Sequence, residues 1–375
     1  MYKVTAMKRS RIAALFLAVV MILCTVTSCG SEAASVITFR ETAIDENEYS
    51  FLMSYYKALY LYSYFGLTED NSAIWTNQIS EGVTVSDYLS ALTLSSIMST
   101  AIYVDLFDEH GLSLTDEDIK TVDDAINSLI EKAGSKSALN SALSEFGANI
   151  DVLRAVRTNN LKVSKVQDYL YGENGIETAT PAEVDIYYNE NYCRVKFIFI
   201  SKTLEYEHDE NGDYIKSEEG NYKTRELTEE EVAAKKALFA DIEARVEAGE
   251  DFETLLDEYT MDTGMMHFED GYYITSTSSF VEKDVISTSA GLEVGKTARL
   301  ETASGWYLIK RYDLIDGGYN KEEYAKAMFG GNLEQTVNDT KMQELLRGYS
   351  EEVEINEDLI GEYTLVKCAP NFYYY

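Results

Sequence analysis

Side-chain chemistry needs an activated nucleophile, a paired acid and base, or a ligand cluster. The 375-residue sequence offers few of these: no Gly-x-Ser-x-Gly, Cys-x-x-Cys, His-Glu-x-x-His or phosphate-binding glycine loop occurs in it. Ser54 and Lys57 spell Ser-x-x-Lys, but they stand among tyrosines on a helical pattern, where the match is expected by chance. Asp209, Asn211 and Asp213 begin like a calcium loop, yet no glutamate follows at loop position twelve. No metal and no cofactor are therefore expected. Cys193 and Cys368 read as unpaired, partly buried thiols, with a bond between them outside the cell left open. His267 reads as a surface histidine.

Composition narrows the classes further. Lys and Arg number 32 against 65 Asp and Glu, a net charge of −33. A phosphate backbone would repel such a chain, and no basic patch interrupts it, so nucleic acid is excluded as a partner. Hydrophobic residues make up 45%, which is ordinary for a globular protein. Prolines number two and tyrosines 29, favouring helices with aromatic faces.

The first 28 residues form a leader. Lys3, Lys8, Arg9 and Arg11 precede an apolar run from Ile12 to Leu23, too short to span a bilayer, which needs about 20 residues. The run ends in Val26-Thr27-Ser28-Cys29, which resembles the bacterial lipobox. That resemblance implies removal of residues 1–28, lipidation of Cys29, a tether over 29–35, and a lipid-anchored protein on the extracytoplasmic face of the cell membrane. A plain secretory signal cleaved near Ala33-Ala34 is the alternative.

Behind the leader, Val36 to Phe39 is β-like. Asp45 and Glu48 form a capping box that opens a helix bearing Phe51, Tyr55, Leu59 and Tyr62 on one face and Leu52, Tyr56, Tyr60 and Tyr64 on the next. So wide a stripe either packs on other helices or lines a surface for unfolded polypeptide. Further helices are predicted at Val85 to Phe107, after Thr115, at Lys136 to Phe146 and at Asn149 to Tyr171. A short one opens on Thr180-Pro181-Ala182-Glu183. The period then changes. Arg194 to Ile200 is a strand. Residues 203–228 are a polar insertion with eight acids, three bases and a turn signal at Asn211-Gly212. Thr228 to Ala248 and Asp251 to Tyr259 are helices, and Gly271 to Thr275 and Thr297 to Tyr312 are strand-like around a weak helix near 280–290. Lys321 to Tyr349 is helix again.

The order of that middle region resembles a parvulin-type peptidyl-prolyl isomerase. The carriers are the strand Arg194 to Ile200, Gly249-Glu250-Asp251-Phe252, Tyr259-Thr260-Met261-Asp262, Gly271-Tyr272-Tyr273, Leu292-Glu293-Val294-Gly295-Lys296, and Gly305-Trp306-Tyr307-Leu308-Ile309-Lys310. With the flanking helices it resembles extracytoplasmic foldases of the PrsA/SurA type over residues 36–360. The resemblance implies an α+β fold: a helical, chaperone-like domain made by both ends of the chain (36–190 and 317–375), interrupted by a parvulin-like β-α-α-β-α-β domain at 191–316. It implies action on unfolded or nascent secreted polypeptides.

Rotating an X-Pro bond faces a barrier of about 18–20 kcal/mol but breaks no bond, so an isomerase needs an apolar proline pocket and polar groups that favour the twisted amide. The resemblance places the two family histidines at Phe197 and Tyr307, the acid at Asp262, and the proline pocket at Phe280 or Val281 and at Val285. Phe197 cannot hydrogen-bond. Tyr307 is expected to donate its hydroxyl to Asp262. The expectation is a foldase with weak isomerase activity, the alternative being a non-catalytic holdase.

Overall fold

The computed structural model describes residues 33–212 and 214–374; the expected leader, Cys29 and Asp213 lie outside them. The chain is α+β and divides into two compact units, one built from residues up to Thr178 together with Lys341 onward, the other from Ala179–Thr340.

In the first unit, β1 (Ser35–Phe39) and β2 (Thr42–Asp45) pair antiparallel and lead into α1 (Glu46–Phe65). Asp45 caps α1 by accepting from the amides of Asn47 and Glu48, both at 2.9 Å. Glu48 does not return to close the expected box. Its side chain turns inward, is buried, and accepts from Asn159 Nδ2 at 2.8 Å. The aromatic stripe of α1 is divided: Phe51 and Tyr60 lie in the core, whereas Tyr62 and Tyr64 are about two-thirds exposed, at 66% and 64%. Around α1 stand α2 (Val85–Glu109), α3 (Asp116–Ala133), α4 (Lys136–Leu143) and α5 (Ile150–Tyr171). Helix α2 is long and apolar enough to cross a membrane by length and composition, but Leu89, Ile97, Ala101 and Ile102 are buried in the core of this unit.

The second unit starts with α6 (Pro181–Asn191), opened by a complete capping box between Thr180 and Glu183. Strand β3 (Cys193–Ser201) follows. A small hairpin, β4 (Leu204–Tyr206) and β5 (Thr224–Glu226), forms the acidic insertion. Then come α7 (Glu229–Glu247), α8 (Phe252–Tyr259), α9 (Thr263–His267), β6 (Tyr272–Ile274), α10 (Lys283–Ala290), β7 (Thr297–Glu301) and β8 (Gly305–Tyr312). The run Thr297 to Tyr312, read as one strand-like stretch, is two: the chain reverses at Thr302–Ser304 and β7 pairs antiparallel with β8. The sheet order is β6-β3-β8-β7. Its face bearing Ile198, Ile200, Trp306 and Leu308 is buried, with the Phe239 ring of α7 stacked 6.3 Å from Trp306. Each such large apolar side chain contributes about 1.5–3 kcal/mol on burial.

The last helices correct the sequence reading. Helix α11 (Glu322–Met328) and the start of α12 (Leu333–Ser350) belong to the second unit. Tyr324 and Phe329 bring their rings 5.5 Å and 5.4 Å from Tyr273, and Asn338 Oδ1 accepts from the Ala179 amide. Aromatic complementarity therefore sends 321–340 to the sheet instead of to the helical unit. From Lys341 the chain rejoins the first unit. Strand β9 (Glu354–Ile355) pairs with β1, giving the order β9-β1-β2, and Leu365 is fully buried beyond helix α13 (Glu357–Glu362). Cys193 and Cys368 are both free thiols.

Candidate functional site

Register places the motif residues. Strands β3 and β8 are antiparallel with Phe199 opposite Tyr307 and Phe197 opposite Ile309, and β6 sets Tyr272 opposite Val195. Residues two apart on a strand share a face, so Phe197, Phe199, Tyr272 and Tyr307 gather on the face away from α7. Tyr307 lies 4.6 Å from Phe199 and 5.3 Å from Phe197, ring centre to ring centre, and Tyr272 lies 5.5 Å from Phe197. Phe197 is buried at the centre of this aromatic group.

The link from α8 to α9 runs beside β3 where β6 has ended. Met261 N–H donates to the Phe199 carbonyl at 2.8 Å, and the Phe199 amide donates to Thr260 Oγ1 at 3.2 Å. This continuation sets Asp262 above the aromatic face, as N-cap of α9, with Oδ1 accepting from the Met265 amide at 2.8 Å. Its hydroxyl partner differs from the expected one. Tyr272 donates to Asp262 at 2.8 Å, while Tyr307 donates to Glu282 at 2.8 Å. Gly264 is the reason for the first pairing: a Cβ there would fall 1.6 Å from the Tyr272 hydroxyl oxygen, so only glycine lets that ring reach the carboxylate. For the second, Glu282 stands just before α10 and also accepts from Ser304 and, at 3.3 Å, from Thr302. The β7–β8 reversal thus delivers two hydroxyls to the carboxylate that holds Tyr307.

The two carboxyls are tuned in opposite senses. Burial pushes Asp262 above the usual range, against the opposing hydrogen bonds from Tyr272 and the Met265 and Gly264 amides. Burial would also raise Glu282, but its hydroxyl donors Ser304, Tyr307 and Thr302 outweigh it and hold the group below that range. Burial, followed by the neighbouring carboxylates, raises both Tyr272 and Tyr307, which stay protonated.

Of the residues assigned to a proline pocket, Phe280 is 39% exposed with its ring 5.7 Å from Tyr272, and Val281 is half-buried beside it. Val285 has no exposure and belongs to the core. An apolar cleft of about 200 Å³ opens beside Phe199, between the end of β3 and the acidic hairpin, lined also by Leu204, Tyr206 and Met261. The sequence reading missed Tyr272, Glu282, Ser304 and Phe199. Tyr272 and Ser304 stood inside or next to quoted motifs. Glu282 had only its place beside Val281 to mark it. His267 is exposed against Phe268. Among the described residues no cluster of three or more His, Cys, Asp or Glu is placed to hold a metal ion.

Asp262 thus holds a helix start and a buried phenol together. Asp262→Ala is expected to cost about 2 kcal/mol, from a lost cap plus an unsatisfied hydroxyl. Tyr307→Phe is expected to cost less than half of that, since Glu282 keeps its other donors. Urea denaturation of the two variants checks the order.

No family model and no curated protein sequence matches the chain. It is similar to solved structures of PrsA. PrsA from Bacillus subtilis is 16% identical, with 77% of this chain and 98% of that one covered and a TM-score of 0.25. The peptidylprolyl isomerase PrsA from Bacillus cereus is 17% identical, over 77% and 97%, at 0.29. The foldase protein PrsA from Streptococcus pneumoniae is 13% identical, over 76% and 96%, at 0.23.

Proposed function

We propose that the protein is a lipid-anchored extracytoplasmic foldase whose sheet-bearing unit holds unfolded polypeptide and isomerises prolyl bonds only weakly. The observation that carries this reading is the state of the motif positions. Phe197 has no proton to offer, and the hydroxyls of Tyr272 and Tyr307 are spent on Asp262 and Glu282. A twisted amide placed on this face meets aromatic surface whose two phenol hydroxyls, among the described residues, already donate to carboxylates. Losing one transition-state donor costs about 10²–10³ in rate. Binding through apolar contact is untouched by that loss, and an open apolar cleft adjoins the same face. The ordered parvulin-like motifs support the isomerase lineage, and the lipobox-like Val26-Thr27-Ser28-Cys29 supports the anchor. The reading as a holdase without any catalysis is favoured by Phe197 itself.

The test is light scattering from a chemically unfolded client diluted into buffer. An equimolar amount of the full chain is expected to delay aggregation severalfold. Delay no greater than that given by an inert protein of similar negative charge would end the foldase reading. For the anchor, Cys29→Ala is expected to move the protein out of the membrane fraction, and unchanged fractionation would remove that part.

A further inference from the structure

The acidic hairpin is built into the cleft instead of hanging free of it. Leu204 faces Glu226 across the hairpin and Tyr206 faces Thr224, so these four side chains share one face. Leu204, Tyr206 and Thr224 from that face line the cleft, opposite Phe199, Met261 and Ser304. The hairpin is held in place. The Tyr206 ring lies 5.4 Å from Tyr214 and 5.8 Å from Tyr222, and its side chain hydrogen-bonds Thr263. On the reverse face Glu205 pairs with Lys235 of α7 at 2.5 Å. Glu226, by contrast, is exposed beside Leu204, and among the described residues no cation pairs with it.

We propose that this cleft is a side-chain pocket for an extended polypeptide that carries an aromatic residue next to a lysine or arginine. The size fits: about 200 Å³ here against roughly 150 Å³ for an apolar cavity that takes benzene. The lining fits: Phe199, Leu204, Tyr206 and Met261 supply apolar and aromatic surface among four serine and threonine side chains. The charge fits as well: the insertion holds eight acids against three bases, and Glu226, opposite Leu204 on the pocket face, has no cation partner among the described residues. An acidic client segment would meet repulsion there, and a basic one attraction that salt screens. The proposal rests on the polypeptide-holding reading above and adds the class of segment selected.

The experiment is fluorescence anisotropy of the full chain with four labelled octapeptides, alike except for Phe or Ala at the centre and Lys or Glu beside it. The Lys-Phe peptide is expected to bind at least tenfold tighter than Lys-Ala, the cost of leaving a buried phenyl unfilled. It is expected to bind about threefold tighter than Glu-Phe, as for an exposed ion pair. Thr224→Trp, at an exposed position facing the cleft, is expected to fill it and erase the Phe preference. Glu226→Lys is expected to invert the charge preference while keeping the Phe preference; it decides the matter should Thr224→Trp misfold by circular dichroism. If the parent delays client aggregation but neither substitution alters peptide preference, the pocket assignment falls and the foldase reading stands. If the parent binds none of the peptides and delays no aggregation, both fall.

Discussion

Asp70→Asn is expected to unfold the helical unit about 3 kcal/mol more easily, more than the loss of its partner Lys57 would. Lys57 sits on α1 with its side chain 1% exposed, and its Nζ donates to Asp70 at 2.6 Å and to the Cys368 carbonyl at 2.8 Å, over the Trp75 ring. Asp70 also accepts from Trp75 Nε1 at 3.0 Å, and its side chain keeps 38% of its exposure. Burial alone would raise the Asp70 carboxyl, but Lys57 and Trp75 hold it below the usual range. The two halves of the pair are therefore unequal. Removing the carboxylate strands an ammonium that cannot reach water, the case that costs about 3–5 kcal/mol. Lys57→Met leaves a carboxylate that can still be hydrated and replaces the buried lysine stem with apolar volume. For a unit of this size the Asp70→Asn cost is about 6–12 °C in Tm. The C-terminal segment should loosen as well, because Lys57 holds Cys368 and the Ser54 carbonyl holds the Asn371 amide at 2.9 Å. Thermal unfolding and limited proteolysis near residue 368 read both effects. A larger loss from Lys57→Met than from Asp70→Asn would mean that the two halves of the pair are not unequal in this way.

The second large effect is on pH. Burial pushes Glu48 up to about 7, with the Asn159 hydrogen bond opposing it and Asp45 adding to it. In the unfolded chain the same carboxyl titrates near 4.5. A raised folded pKa means the native state binds the proton more tightly than the unfolded state. The contribution is then fully present below about pH 4.5 and is lost as pH rises to about 7, a span of roughly 3 kcal/mol. Glu48→Gln keeps an acceptor for Asn159 and removes the charge. Its helical unit should match the parent at pH 4 and exceed it by about that amount at pH 8. Denaturant midpoints across the range measure this. A constant difference between variant and parent would place the titration elsewhere.

These two sites show what could be read from the chain and what could not. Helix starts were legible because a cap is a local device: Thr115, Thr180 and Thr228 each close a box with a carboxylate three residues on. The strand holding Phe197 and the partition into a strand-bearing middle and helical flanks were legible from the change of period. Partners distant in sequence were not. Glu48 looked like half of a local box, but Asn159, 111 positions away, claims its side chain. Tyr307 looked like the natural donor to Asp262, and only the open space at Gly264 and the reversal at Thr302–Ser304 assign the two phenols to different carboxylates. The join between the units shifted for the same reason, since the apolar pattern of 321–340 carries no mark of the sheet it packs on.

With the Tyr272 and Tyr307 hydroxyls held by Asp262 and Glu282, an amide on this aromatic face gains little help in twisting, and prolyl isomerisation reads that loss. The full chain should speed cis–trans conversion of an Ala-Pro-Phe tetrapeptide about 10²–10³ less, per molecule, than a parvulin carrying both histidines does under the same conditions. Turnover comparable to the histidine-bearing enzyme would overturn the weak-isomerase reading and would mean that the hydroxyls of Tyr272 and Tyr307 leave their carboxylates when substrate binds.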